Sequence, residues 1–263
     1  MKNLALNTAR FVAAGILAVS LSAGAALASE GAAVESQSWT FTGPFGTFDR
    51  AQLQRGYKVY KEVCANCHSM KLVKFRNLAD PGGPGFTEEQ VKVLAAEYEV
   101  TDGPNDDGDM FERPAKPYDA FVSPFANDNA ARASNGGALP PDFSVIAKAR
   151  PNGPNYIYAL LTGYEEEPPA GVELRDGMNY NHAFTGNQIA MAPPLSEEIV
   201  EYTDGSPMTV DQYAHDVVSF LMWAAEPKLE ERKRMGLQIT IFLLAFAGLL
   251  YFTKQKLWSD VDH

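Results

Sequence analysis

The sequence predicts a mainly α-helical domain with long irregular insertions, followed by one membrane-spanning helix near the C-terminus. Apolar residues recur at helical spacing in three stretches, while strand-like alternation and internal repeats are scarce. The run Cys64-Ala65-Asn66-Cys67-His68 closes the first of those stretches. An uncharged apolar segment, Gly236 to Thr253, lies near the other end.

The first helix is expected to start after Asp49, a plausible N-cap. Leu53, Tyr57, Tyr60, Cys64 and Cys67 follow at steps of four, three, four and three, so one stripe carries both cysteines on the buried face. Gly56 lies one position off the stripe; it reads either as a point where another helix crosses closely or as a tolerated surface glycine.

Two cysteines three positions apart, with histidine directly after the second, have the pattern of covalent c-type haem attachment. Each thiol adds across one vinyl group, and the adjacent imidazole is thereby held under the iron as an axial ligand. The chain has only these two cysteines. A thioredoxin-like redox pair needs no following histidine and prefers a βαβ context. A zinc site needs a second Cys/His pair at usable spacing. The domain is therefore expected to be a c-type cytochrome domain with one haem c on Cys64 and Cys67, His68 being an iron ligand.

Asp80 to Phe86 is a Pro/Gly turn, and Thr87 to Gln90 is a capping box opening a short helix with Val91, Leu94, Ala95 and Tyr98 on its apolar face. Residues 101–121 read as a solvated acidic loop without the ligand pattern of an EF-hand. Residues 123–141 read as irregular chain, tolerable if it wraps a cofactor. Pro154 suits the first turn of another helix. Glu165-Glu166-Glu167 before Pro168-Pro169 is an exposed acidic corner. Thr209 to Gln212 is a second capping box, heading a helix of Val210, Tyr213, Val217, Phe220, Leu221 and Ala224 that stops before Pro227. This helix is expected to cross the one leading into the cysteines.

Residues 1–28 have Lys2 and Arg10, an apolar run and an Ala26-Leu27-Ala28 exit, the pattern of a cleaved secretory signal. Residues 29–227 then form the haem domain, 228–235 a juxtamembrane linker, 236–253 the span and 254–263 a tail. Eighteen residues give about 27 Å of helix, close to the ~30 Å hydrocarbon core. Arg232, Lys233 and Arg234 precede the span, and Lys254 and Lys256 follow it. A large domain behind a signal translocates largely regardless of local charge. The expected location is thus a bacterial inner membrane, single-pass, with the haem domain periplasmic and the tail cytoplasmic. Losing Lys2 and Arg10 leaves 20 basic against 33 acidic residues, a net of −13. That excludes nucleic acid as a natural partner and favours a basic one.

A second axial ligand could come from Met70, Met110, Met178, Met191, Met208, Met222, His182 or His215. Met70 is too near His68 to reach the opposite face, and Met222 reads as helix core. Met191 lies in a small-residue loop stiffened by Pro193 and Pro194. Met178 and His182 remain open by spacing alone.

The blocks CANCH, DGPNDDGDMFERP, ARASNGGALPPDFS, YALLTGY, AMAPPL and WAAEPKLEERKRMGL, from about Phe45 to Trp258, resemble cytochrome c1, the haem subunit of the cytochrome bc1 complex. The resemblance implies that Met191 is the sixth ligand and that Arg132 lies beside a haem propionate. It also implies partnership with cytochrome b and a Rieske iron–sulfur subunit in a dimeric complex, and electron delivery to a soluble c-type cytochrome. Some family members have a disulfide in the middle region; here Tyr164 is followed by Glu165, so that loop is expected to be held by packing alone. Two other functions stay in view: a free-standing membrane-anchored electron shuttle, and a five-coordinate haem sensor.

Overall fold

The computed structural model describes residues 34–260; the expected signal segment lies outside them. Among the described residues the architecture is helical, with two small two-stranded hairpins.

Helix α1 (Arg50–Glu62) starts where Asp49 accepts a hydrogen bond from the Gln52 amide and buries Leu53, Gly56, Tyr57, Val59 and Tyr60. It runs out at Val63 into a 3-10 turn over Cys64–Asn66. Asn66 ends it, donating from Nδ2 to the free carbonyls of Glu62 and Val63 at 3.1 and 3.2 Å. The stripe therefore stops one residue type short of the expectation. Cys67 leaves helical geometry (φ −127°, ψ −32°), so Cys64 is buried while Cys67 is exposed and His68 takes the inward position.

Helix α2 (Glu88–Ala96) has the expected reciprocal capping box between Thr87 and Gln90. The 101–121 segment is more ordered than a solvated loop. Strands β1 (Glu99–Asp102) and β2 (Phe111–Pro114) pair antiparallel, Glu99 opposite Pro114 and Asp102 opposite Phe111. Arg113 of β2 bonds Asp102 across the hairpin and Asp119 beyond it, with Nη1 2.7 Å and Nη2 3.1 Å from the Asp119 carboxylate. The 123–141 segment contains helix α3 (Asp128–Ser134), which Asn127 caps by accepting from the Ala130 amide. Only Ala131 of that helix is buried, so it left no apolar stripe to read.

Helix α4 (Gly153–Thr162), with Pro154 in its first turn, packs on α5 (Val210–Ala225). The expected second capping box is half formed. Thr209 accepts from the Gln212 amide, but the Gln212 side chain turns into the core and donates to Asp216 at 2.9 Å.

Helices α1 and α5 cross, as expected, and Gly56 is the contact point. A Cβ there would stand 2.0 Å from the Asp216 carbonyl oxygen and 2.7 Å from Phe220 Cβ, so only glycine permits this approach. Beside the crossing, the fully buried Asp216 accepts from Arg55 Nε (2.9 Å) and Nη2 (3.2 Å) and from the Tyr202 hydroxyl (2.9 Å). Tyr57, Tyr60, Phe75, Phe121 and Phe220 close their rings around the two helices.

Helix α6 (Leu229–Leu257) is continuous through the residues expected as a linker. Its first turns are fastened to the domain. Leu229 is buried, Glu230 accepts from the Phe48 amide (2.9 Å) and Arg50 (2.8 Å), and Lys233 donates to the Phe41 and Gly46 carbonyls (2.6 and 3.1 Å). Twenty-nine residues give about 43 Å, enough to cross a ~30 Å core with a turn or two to spare. Its most apolar window is entirely unburied, the state of a helix whose solvent is lipid.

Candidate functional site

Helix α1 delivers the two thiols and the imidazole at its C-terminal end. Neither cysteine is in a disulfide. Burial pushes the Cys64 thiol up to about 12, so it stays protonated in the unmodified chain. Cys67 opens to the surface.

His68 is buried and held from three directions. Its Nδ1 lies 2.9 Å from the Pro141 carbonyl oxygen, its ring stacks on Phe143 at 3.9 Å between centroids, and its own carbonyl accepts from the Tyr60 hydroxyl at 3.2 Å. Burial holds the imidazole below its ordinary range, against the opposing pull of the Pro141 hydrogen bond and Asp142. A neutral ring that donates from Nδ1 keeps the Nε2 lone pair for a metal.

The Pro141 carbonyl is placed by a second set of bonds. Asp142 accepts from the Ser69 hydroxyl (2.7 Å) and Lys71 amide (3.0 Å) through Oδ2 and from the Ser144 amide (2.9 Å) through Oδ1. The Phe143 amide donates to the Ser69 carbonyl at 2.7 Å, and the Leu72 amide to Ser144 Oγ at 3.0 Å. Burial raises the Asp142 carboxyl, but the bonds from Ser144, Lys71 and Ser69 together hold it below the usual carboxylate range.

Met191 stands two residues beyond β4 (Gln188–Ile189), which pairs with β3 (Asn179–Tyr180). It is half-buried, and its carbonyl accepts from the Tyr164 hydroxyl (3.1 Å) and Asn179 Nδ2 (3.4 Å). Tyr164 forms an isolated bridge with Asn181. The fully buried Asn181 donates from Nδ2 to the Leu160 carbonyl (2.7 Å) and accepts from the Ala183 and Phe184 amides (3.0 and 3.2 Å). The loop after Tyr164 is therefore held by more than packing: the His182 amide bonds the Gly163 carbonyl at 3.1 Å, and His182 Nδ1 lies 3.1 Å from Glu165.

The other candidate ligands are differently placed. Met70 is fully buried in the core, Met110 is exposed on the hairpin, and His215 packs between Trp39 and Tyr158. His182 is exposed and engaged by Glu165. Arg132 is exposed on α3, its Nη1 3.1 Å from the Gly137 carbonyl. Among the described residues it makes no ion pair with a carboxylate of the chain. No group of three His, Cys, Asp or Glu side chains among the described residues is arranged to hold a metal ion.

Spacing put Tyr60 on the stripe with the cysteines, but it did not reveal Pro141, Asp142, Phe143 or Tyr164 as parts of this arrangement. Asp142 had the only local signal, an acidic residue after two prolines and two before a serine, the composition of an Asx turn.

The donor set fits a c-type haem: two unpaired thiols three residues apart, and a neutral buried imidazole whose far nitrogen is free. Comparison with known proteins points the same way. The family model described as the Cytochrome C1 family matches residues 39–261. The chain is 54% identical over 240 residues to the cytochrome b/c1 of Bradyrhizobium diazoefficiens, covering 84% of this chain but 35% of that protein. It is 51% identical to a mitochondrial cytochrome c1 heme protein of Arabidopsis thaliana over 93% of this chain and 78% of the relative. With the cytochrome c1 of Rhodospirillum rubrum it shares 47% identity over 96% and 97% of the two lengths.

Proposed function

The chain belongs to the cytochrome c1 family, and from that premise we propose that it is the monohaem, membrane-anchored electron-transfer subunit of a quinol–cytochrome c oxidoreductase. The observation that carries the reading is His68, buried, with Nδ1 committed to the Pro141 carbonyl and Nε2 left over, directly beside the two free thiols. Cys64 and Cys67 would hold one haem c through thioethers, and His68 and Met191 would supply ligands to its iron. Bound there, the haem supplies one-electron exchange between ferric and ferrous iron.

The residues of the chain do the rest. The Pro141 hydrogen bond raises the basicity of His68 and fixes its tautomer. Tyr164 and Asn179 hold the Met191 backbone so that its thioether is presented from a stiff loop. Prior commitment of His182 to Glu165 on the surface supports Met191 over His182. Arg132, exposed and without a carboxylate partner among the described residues, is suited to a propionate. No side chain here is assigned acid–base or nucleophilic work.

In this reading the protein takes an electron from a Rieske iron–sulfur protein and passes it to a soluble c-type cytochrome, beside cytochrome b in a dimeric complex. The relative named cytochrome b/c1 supports the association with cytochrome b. The haem domain would face the periplasm of a bacterial inner membrane, with α6 as the anchor. Purification of the tagged chain from its own membranes tests this. Recovery of a b-type cytochrome and an iron–sulfur subunit with quinol-dependent reduction of the c haem is expected. Recovery of the chain alone, still reducible by a soluble donor, would favour the free-standing shuttle.

A further inference from the structure

We propose that Asp142 is a positioning residue for the axial histidine: it staples the 141–144 turn to the 69–72 segment so that the Pro141 carbonyl stays on His68 Nδ1. The proposal rests on the reading of His68 as an iron ligand. One carboxylate gathers three donors, two from the strand of chain leaving His68 and one from its own turn: Ser69 Oγ at 2.7 Å, the Lys71 amide at 3.0 Å and the Ser144 amide at 2.9 Å. Two further bonds run parallel, Phe143 N to the Ser69 carbonyl at 2.7 Å and Leu72 N to Ser144 Oγ at 3.0 Å. Pro141 itself has no amide hydrogen to anchor it. Its carbonyl can be held only through its neighbours, and Asp142 is the neighbour with the most bonds to the histidine's own segment.

The consequence is electronic. A hydrogen bond accepted from Nδ1–H makes the imidazole a stronger donor at Nε2, which favours the more positive ferric iron. Loosening the turn weakens that bond, so the ferrous form gains and the reduction potential rises. An effect on overall stability alone would lower the melting temperature and leave the potential where it was.

The test uses purified holoprotein: wild type, Asp142→Ala, Asp142→Asn, and Ser69→Ala as a milder variant should Asp142→Ala not accumulate. Covalent haem is first verified by the pyridine haemochrome spectrum; a wild type without it overturns the ligand reading and this proposal together. With haem present, Asp142→Ala is expected to shift the ferrous-to-ferric ratio at fixed potential by about tenfold toward ferrous, about 59 mV for one electron. Asp142→Asn, which keeps an acceptor oxygen, should shift it less, and Ser69→Ala should move in the same direction. In the reduced protein the His68 Nδ1 proton, followed by NMR, should exchange with solvent faster in the variants. Unchanged potential and unchanged proton exchange in a haem-loaded variant would overturn the proposal.

Discussion

His68 holds its Nδ1 2.9 Å from the carbonyl oxygen of Pro141, 73 residues further along the chain. That single contact joins the end of helix α1 to the turn after α3. It fixes which ring nitrogen carries the proton and therefore which one is left for a metal. The neighbouring hydrogen bond from Tyr60 and the stacked ring of Phe143 serve the same residue. The local motif supplies the imidazole, and distant chain supplies its orientation.

The two thiols of the motif should differ in the unmodified chain. Cys64 is buried, with its thiol pushed up to about 12, and Cys67 is exposed. The thiolate is the reactive form. In folded apoprotein made without haem attachment, a brief iodoacetamide pulse at pH 8 followed by peptide mass spectrometry should find Cys67 alkylated at least about tenfold faster than Cys64. Equal rates would contradict the placement of Cys67 outside the buried stripe.

The α1–α5 crossing should be intolerant of a broken charge pair. Asp216 is fully buried against Arg55, Tyr202 and Gln212. Removing one partner of a buried pair costs about 3–5 kcal/mol. Asp216→Ala should lower thermal stability of the holoprotein by that order, while the exposed Asp204→Ala, which removes the other carboxylate on Arg55, should cost about 1 kcal/mol or less. Similar melting temperatures for the two variants would refute the assignment.

The acid end of the pH range should loosen the β1–β2 hairpin. Hydrogen bonds from Arg113 hold the Asp119 and Asp102 carboxyls below the ordinary range. A carboxylate depressed in the folded state stabilises it above the unfolded value of ~3.9 and loses that contribution as pH falls through the lower folded value. Amide protection across the hairpin should hold between pH 5 and pH 8, on the order of the neutral value, and fall only below about pH 4. Protection that is flat down to about pH 2 would contradict the role of Arg113.

Electron delivery to a basic acceptor should be sensitive to salt. The chain has a net charge of −11, and exposed acids cluster at Glu165–Glu167. Long-range attraction is screened over about 10 Å at 0.1 M salt. The second-order rate of oxidation by a basic soluble cytochrome c should fall by about tenfold between roughly 20 and 200 mM salt. A rate independent of ionic strength would remove the electrostatic part of the account.

Much of the fold was legible because helices carry their periodicity and caps in the sequence. Asp49, Thr87 and Thr209 all cap as their residue types suggest, whereas Gly56 suited a close crossing and a surface position equally until its contacts with Asp216 and Phe220 were seen. Helix α3 was not legible: one buried alanine makes no stripe, and its N-cap Asn127 lies among residues that equally suit a loop. The β1–β2 hairpin escaped because its strands are four residues long and largely exposed. Within the site, the order Cys-x-x-Cys-His puts both thiols and the imidazole within five consecutive residues, where a local pattern can be read. Pro141, Asp142 and Tyr164 act through tertiary contacts spanning tens of residues, and no local pattern encodes those.

The most direct test of the central claim is the absorption spectrum of the purified protein, oxidised and reduced, for wild type and Met191→Leu. A single low-spin c-type haem with a methionine-to-iron charge-transfer band is expected in wild type. Loss of that band and a fall in potential are expected in the variant. A variant indistinguishable from wild type would assign the sixth position to another residue, and a wild type that is high-spin and binds carbon monoxide would contradict the electron-transfer account itself.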